Sequence, residues 1–208
     1  DLDFVIPTPL DASRSDRSRL AAESKRAVGT IGRRVSGLRV ITALTGANDS
    51  SQYAAVLGYA SLLGAREEML KIEIGLREPL LRSAMRGEAR TLLLDPISNA
   101  PVVPALPVPC LSRAEAMAEK LRAALSRREA AVRDFYDIDH AVRRLEFRVN
   151  DPELLALVRA KLAVPGNDPV DVSPARIAAL RPQVEAQLKP ILRDRDFAEF
   201  DLDHAFRT

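Results

Sequence analysis

One lysine and a small set of carboxylates are the residues whose types and spacing could do chemistry. Lys120 lies in Met117-Ala118-Glu119-Lys120-Leu121, and two acids follow in Arg133-Asp134-Phe135-Tyr136-Asp137. A lysine flanking a core face is a functional candidate in a chain that mostly writes arginine. Arginine supplies most of the positive charge; the lysines are Lys25, Lys71, Lys120, Lys161 and Lys189. The chain opens on Asp1-Leu2-Asp3-Phe4, and Glu73 stands in Leu70-Lys71-Ile72-Glu73-Ile74. On a strand Asp1 and Asp3 share a face, where they repel unless a cation lies between them. Oxygen ligands of this kind suit Mg²⁺, which takes the rest of its shell from water and substrate phosphates. Glu73 would add a third acid. The bland alternative is an exposed residue on a half-wet sheet. A second Asp-x-Asp, Asp201-Leu202-Asp203, lies in a charged helical tail and is read as unrelated.

The elements that must position these groups follow from local signals. Ser112 and Glu115 form a capping box that starts a helix. Met117, Leu121, Ala124 and Leu125 mark its buried face, with Lys120 on the edge. A second helix begins near Asp134, with Phe135, Ile138, Val142 and Leu145 as its seam. The short basic link Ser126 to Arg128 predicts antiparallel packing, which carries Lys120 and Asp134 towards one place. The plainer reading is a solvated helix lysine and a first-turn acid favoured by the helix dipole. The strand over 69–76 places Leu70, Ile72 and Ile74 on one face and Lys71 and Glu73 on the other. Strands are also predicted at the N-terminus, at 38–44 and at 52–62, with a helix at 18–35. Residues 10–19, 45–51 and 77–90 read as loop or turn. The five prolines between Asp95 and Pro109 predict a partly extended crossing. Asp151-Pro152 and Ser173-Pro174 open two later helices.

Composition limits the function classes. The chain has 208 residues, 47% hydrophobic and 29% charged, with a net charge of +2. That supports a substantial core and gives no polybasic character, so nucleic-acid contact would rest on local clusters such as Arg122, Arg127, Arg128 and Arg133. There is no Trp and little aromatic residue for base stacking. Cys110 is the single cysteine and is expected to be a buried thiol. His140 and His204 do not make a zinc signature. No apolar run has the length of a membrane span, and a cytoplasmic protein without a membrane partner is expected. The proline-rich stretch divides the chain into a strand-rich part at 1–109 and a helical part at 110–208.

Asp1-Leu2-Asp3-Phe4, Leu70-Lys71-Ile72-Glu73-Ile74, Ala118-Glu119-Lys120-Leu121-Arg122-Ala123 and Arg133-Asp134-Phe135-Tyr136-Asp137 stand in an order that resembles the AbiEii/AbiGii-type nucleotidyltransferase toxins. The resemblance covers roughly residues 1–145 and is most specific over 111–137. It implies an α+β fold, a polymerase-β-like nucleotidyltransferase mixed sheet followed by a helical domain. It implies Mg²⁺, a nucleoside triphosphate substrate, tRNA or another RNA, or a protein, as acceptor, and an antitoxin in a toxin–antitoxin or phage-defence system. Carried over by position, Asp1, Asp3 and Glu73 would bind the metal, and Lys120 and Lys71 the nucleotide. Lys120 and Asp134 would be catalytic, with Asp134 orienting Lys120 or activating the acceptor hydroxyl. Asp137 is the lesser candidate.

The family also carries a Gly-Ser or Gly-Gly segment ahead of the Asp-x-Asp strand, which binds the triphosphate. The chain as written begins at Asp1, so little transferase activity is expected of it, and activity is expected once that segment is restored. The alternatives are a degenerate member that binds a partner or nucleic acid without chemistry, and a helical scaffold.

Overall fold

The computed structural model describes residues 1–61, 64 and 66–207. The chain divides into two units, Asp1–Leu80 and Leu81–Thr208. This division lies upstream of the proline-rich stretch at which the sequence suggests a boundary.

The first unit runs β1 (Leu2–Val5), α1 (Arg14–Leu20), α2 (Ala22–Arg34), β2 (Leu38–Ala47), β3 (Gln52–Ala60) and β4 (Glu67–Gly75). The strands form one mixed sheet in the order β1-β4-β3-β2. β1 is parallel to β4, and the other neighbours are antiparallel. Period-two patterning decides which face is covered. Tyr53, Ala55 and Leu57 of β3 and Ile72 and Ile74 of β4 are buried, in one cluster with Ala21 and Val28 from the helical segment. Gln52, Ala54 and Val56, and Glu73 beside them, lie half-buried on the opposite face. That alternation in β4 is the one expected from its sequence. β1 is an edge strand, and Leu2 and Phe4 are exposed.

Two expectations change here. Residues 14–20 form a helix where the sequence suggests loop. Ser13 caps it by accepting from the Asp16 N–H, and Asp16 returns the bond, a complete capping box. β2 also runs on to Ala47, so the turn is confined to 48–51. Leu62, the last residue of the expected third strand, lies outside the described residues.

The second unit opens with a hairpin of β5 (Met85–Ala89) and β6 (Leu106–Cys110). α3 (Arg113–Ser126), α4 (Val132–Arg144), α5 (Pro152–Leu162) and α6 (Pro174–Gln183) follow. α6 continues as a π-helical turn, Val184–Leu188, beyond Pro182, and α7 (Asp194–Ala198) and α8 (Leu202–Arg207) close the chain. β5 occupies 85–89 of the expected loop at 77–90, whose residues 77–84 form no helix or strand, and β6 occupies part of the expected crossing. Cys110 ends β6 exposed, because an apolar neighbourhood in sequence does not place a side chain on a buried face. α4 begins at Val132, a residue or two before the sequence suggests. Val132, Phe135 and Ile138 sit in a core with Leu180, Leu188 and Leu202, and Phe135 stacks on Phe206 at 5.4 Å. Leu145, expected on the α4 seam, is exposed. In the second Asp-x-Asp, Asp201 caps α8 by accepting from the His204 N–H, and Asp203 accepts from the Arg181 guanidinium of α6 at 2.8 Å.

Candidate active site

In the first unit the candidate site is the half-open face of the sheet. Asp3 and Glu73 are register partners on the parallel strands β1 and β4, so their side chains leave the same face next to each other. Across β3 the partner of Glu73 is Ala54, and that of Gly75 is Gln52. With no side chain on Gly75, Gln52 reaches diagonally, and its Nε2 donates to Glu73 Oε1 at 3.0 Å. Asn48 Nδ2 donates in turn to Gln52 Oε1 at 3.1 Å. Lys71, two residues from Glu73 on the same face, places Nζ 3.0 Å from Oε2. Both oxygens of Glu73 are therefore held.

The turn that presents Asn48 is strained. Asn48, Asp49 and Ser50 have φ of 49°, 55° and 60°, a left-handed run that costs non-glycine residues energy and persists only where the surroundings fix it. The surroundings here include the Ser51 N–H and hydroxyl, which both donate to Asn48 O, and the Arg17 guanidinium, which donates to Asp49 O.

Asp1 precedes β1 and belongs to no strand. Among the described residues no three His, Cys, Asp or Glu side chains gather as a metal-binding group. Asp3 and Glu73 offer carboxylates, the ligand type Mg²⁺ takes, on one sheet face, with Lys71 and Gln52 already on Glu73. That ion needs one or two carboxylates and completes its shell with water and substrate phosphate oxygens.

In the second unit α3 and α4 pack as antiparallel neighbours. Lys120 Nζ donates to Asp137 Oδ2 at 2.6 Å. Seven residues on, just past the end of α3, the Arg127 guanidinium stands 3.2 Å from Asp134 Oδ2. The sequence singles out Asp134 as the partner of Lys120; in the structure Asp137 receives that bond. Lys120 and Asp137 are both about half exposed. Asp134 is 5% exposed, and its Oδ2 accepts no hydrogen bond among the described residues. Burial pushes the Asp134 carboxyl above its usual range. Arg127 and Lys120 oppose that shift, and the charge of Asp137 adds to it. A buried carboxylate oxygen without a donor is costly, and a raised pKa is what a proton acceptor needs near neutral pH.

Sequence reasoning passed over Gln52, Asn48 and Arg127. Gln52 carried a legible signal, since it opens the strand that flanks Glu73. Arg127 stood only in a list of basic residues.

Glu115 differs from its expected role as well. Ser112 does accept from the Glu115 N–H, but the Glu115 carboxylate is fully buried and accepts from the N–H groups of Leu81 and Arg82 and from Lys161 Nζ. Its pKa is lowered: burial raises it, but the Lys161 bond and the two backbone donors outweigh burial.

No helix among the described residues is long and apolar enough to cross a membrane. No curated protein matches the chain. Among solved structures, one described as "Crystal structure of putative nucleotidyltransferase from H. pylori" matches 99% of this chain and 72% of its own, at 15% identity and a TM-score of 0.45. A family model described as "Nucleotidyl transferase AbiEii toxin, Type IV TA system" matches residues 1–208, and the chain thus belongs to the AbiEii family of nucleotidyltransferase toxins of toxin–antitoxin systems.

Proposed function

We propose that the protein transfers a nucleotide from a nucleoside triphosphate to a hydroxyl of an RNA, a tRNA in the first place, in an Mg²⁺-dependent reaction. The observation that carries this reading is Asp134. It is a buried acid with a raised pKa whose Oδ2 accepts no hydrogen bond and stands 3.2 Å from the Arg127 guanidinium, the state of a group open to an incoming hydroxyl. Its partner geometry narrows its role. Lys120 is already held by Asp137, so Asp134 serves as base rather than as the lysine's orienter.

In the reaction the acceptor oxygen forms a bond to the α-phosphorus, and the bond to the bridging oxygen of the β-phosphate breaks. Pyrophosphate leaves, and the hydroxyl proton passes to Asp134. Lys120, charged and half exposed, binds triphosphate oxygens as a point charge. Asp3 and Glu73 are the residues that would hold Mg²⁺. Gln52 and Lys71 keep Glu73 in one orientation, as an outer ring of partners does at metal sites. The ion, when bound, neutralises charge on the phosphates and steadies the departing oxygen. Lys71 is spent on Glu73 in this arrangement and contributes to the nucleotide only through that carboxylate.

The test is incubation of the full-length protein with each labelled triphosphate, total RNA and Mg²⁺. Label is expected in tRNA, and Asp134→Asn, Lys120→Ala and Glu73→Ala are each expected to abolish it. Labelling indifferent to all three changes would rule the assignment out. Nucleotide or RNA binding that survives them, without transfer by the wild type, would mark a binding protein instead.

A further inference from the structure

The hairpin of β5 and β6 takes no part in the chemistry above, and it has two unlike edges. Its register pairs Arg86 with Pro109, Gly87 with Val108 and Glu88 with Pro107. Proline has no N–H, so Pro107 and Pro109 occupy the non-bonded sites of the ladder. Two consequences follow. The outer edge of β6 lacks donors at both prolines and is closed to another strand. On β5 the partners of those prolines, Arg86 and Glu88, turn their N–H and C=O away from β6. Among the described residues β5 and β6 make a sheet of two strands. Among the described residues no backbone hydrogen bond reaches Arg86 or Glu88 from outside the hairpin. The β5 edge is thus an open template. The loop beyond it is apolar and unusually bare: Leu92 is 99% exposed and Ile97 95%, with Leu93 and Val103 also exposed, as is Leu106 at the start of β6. Exposed apolar surface of this extent marks an interaction site.

We infer that β5 pairs antiparallel with β5 of a second copy of this chain, about a two-fold axis at Gly87, to give a four-stranded β6-β5-β5-β6 sheet. The occupant is identified by charge and register. Antiparallel pairing centred on Gly87 sets Arg86 opposite Glu88 of the other copy, and Glu88 opposite its Arg86. Both pairs are attractive, and both fall on sites where the free N–H and C=O groups meet. Gly87 meets Gly87 at a non-bonded site, where strands approach most closely and no side chain obstructs. The face to which a Gly87 side chain would point is taken by Cys110, whose Sγ lies 2.6 Å from where a Gly87 Cβ would stand. On that face Met85, exposed, meets Ala89 of the other copy, and the apolar side of the hairpin becomes continuous. Such a closed, self-complementary contact is the common form of a homodimer.

The test is sedimentation velocity of the full-length protein over a concentration series, with circular dichroism as the folding control. The wild type is expected to dimerise. Arg86→Glu and Glu88→Arg each place like charges opposite at both pairs and are expected to raise the dimer dissociation constant about tenfold or more. An equimolar mixture of the two variants is expected to form a heterodimer as stable as the wild type, because every pair is then attractive. Amide exchange at Arg86 and Glu88 is expected to slow with protein concentration, while Gly87, already bonded to Val108, does not change. A wild type that is monomeric at every concentration overturns the inference, as it would if another segment or another protein covered β5. Single variants that associate like the wild type, or a mixture no stronger than either alone, overturn it too.

Discussion

Replacing Lys161 by methionine should be among the most damaging changes available outside the candidate site. Lys161 on α5 and Glu115 on α3 are 4% and 0% exposed, with Nζ 2.8 Å from Oε1. Methionine fills similar volume without charge, so the change removes the cation and little packing. It leaves a carboxylate in the interior with two backbone N–H donors, from Leu81 and Arg82, each at 2.9 Å. Breaking a buried pair from one side costs about 3–5 kcal/mol; the two remaining donors place this case near the lower end, about 3 kcal/mol. Removing both charges in Glu115→Gln/Lys161→Met should recover about 1–2 kcal/mol of that loss, since a neutral amide in the interior is cheaper than a lone carboxylate. The pH dependence has a definite sign. The folded Glu115 pKa is below its usual value, so the pair stabilises at neutral pH, and that contribution is lost as pH falls through the lowered pKa. The deficit of Lys161→Met should therefore shrink on acidification. Urea unfolding followed by circular dichroism at several pH values measures all of this. A loss below about 1 kcal/mol at neutral pH, or a deficit that grows in acid, would refute the reasoning.

Three further outcomes concern the site. Asp134→Asn should raise stability at neutral pH while lowering transfer about a hundredfold or more, because the fold disfavours the charge that the reaction uses; unfolding midpoints and turnover on one preparation decide it, and the stability gain should vanish below the usual aspartate value of 3.8, where Asp134 is neutral folded and unfolded. Asp137→Asn removes a charge that raises the Asp134 pKa, so the acid limb of the pH–rate profile should move to lower pH, and an unmoved limb would exclude Asp134 as the base. Gln52→Leu frees one oxygen of Glu73 and should weaken the Mg²⁺ dependence of transfer about ten- to hundredfold, read from an Mg²⁺ titration; an unchanged titration would show that Glu73 needs no support from β3.

Much of this fold was legible where its cause is local. Leu70, Ile72 and Ile74 alternate with Lys71 and Glu73, and period two needs no distant partner to be read. Ser112, Asp151-Pro152 and Ser173-Pro174 cap helices by contacts within a turn. The misses lie where a distant partner overrides a local signal, or where a local signal lacks an apolar face. Glu115 reads as a cap because its true partners stand 33, 34 and 46 residues away. α1 has no buried residue, so no apolar periodicity announced it, although Ser13 and Asp16 stood at capping distance. β6 was hidden by its prolines, which break strands in general and are tolerated here because they alternate onto the sites that donate nothing to β5.

The exchange of partners at Lys120 has the same origin and bears directly on mechanism. Asp134 and Asp137 are three residues apart, a rotation of about 300° on a helix, so spacing alone sets them near one side and cannot choose between them. Burial chooses. Asp134 stands beside Phe135 and one turn before Ile138, both in the α4 core, and is buried with them; Asp137 stays at the rim. An ammonium following Asp134 inwards would lose its hydration, so Lys120, exposed on the edge of α3, bonds the outer acid. The inner acid has the half-exposed Arg127 guanidinium 3.2 Å from Oδ2, an oxygen that accepts no hydrogen bond. One turn of helix thus separates a hydrated lysine–aspartate pair suited to phosphate from a dry carboxylate suited to a proton, and the hydrophobic seam makes that separation.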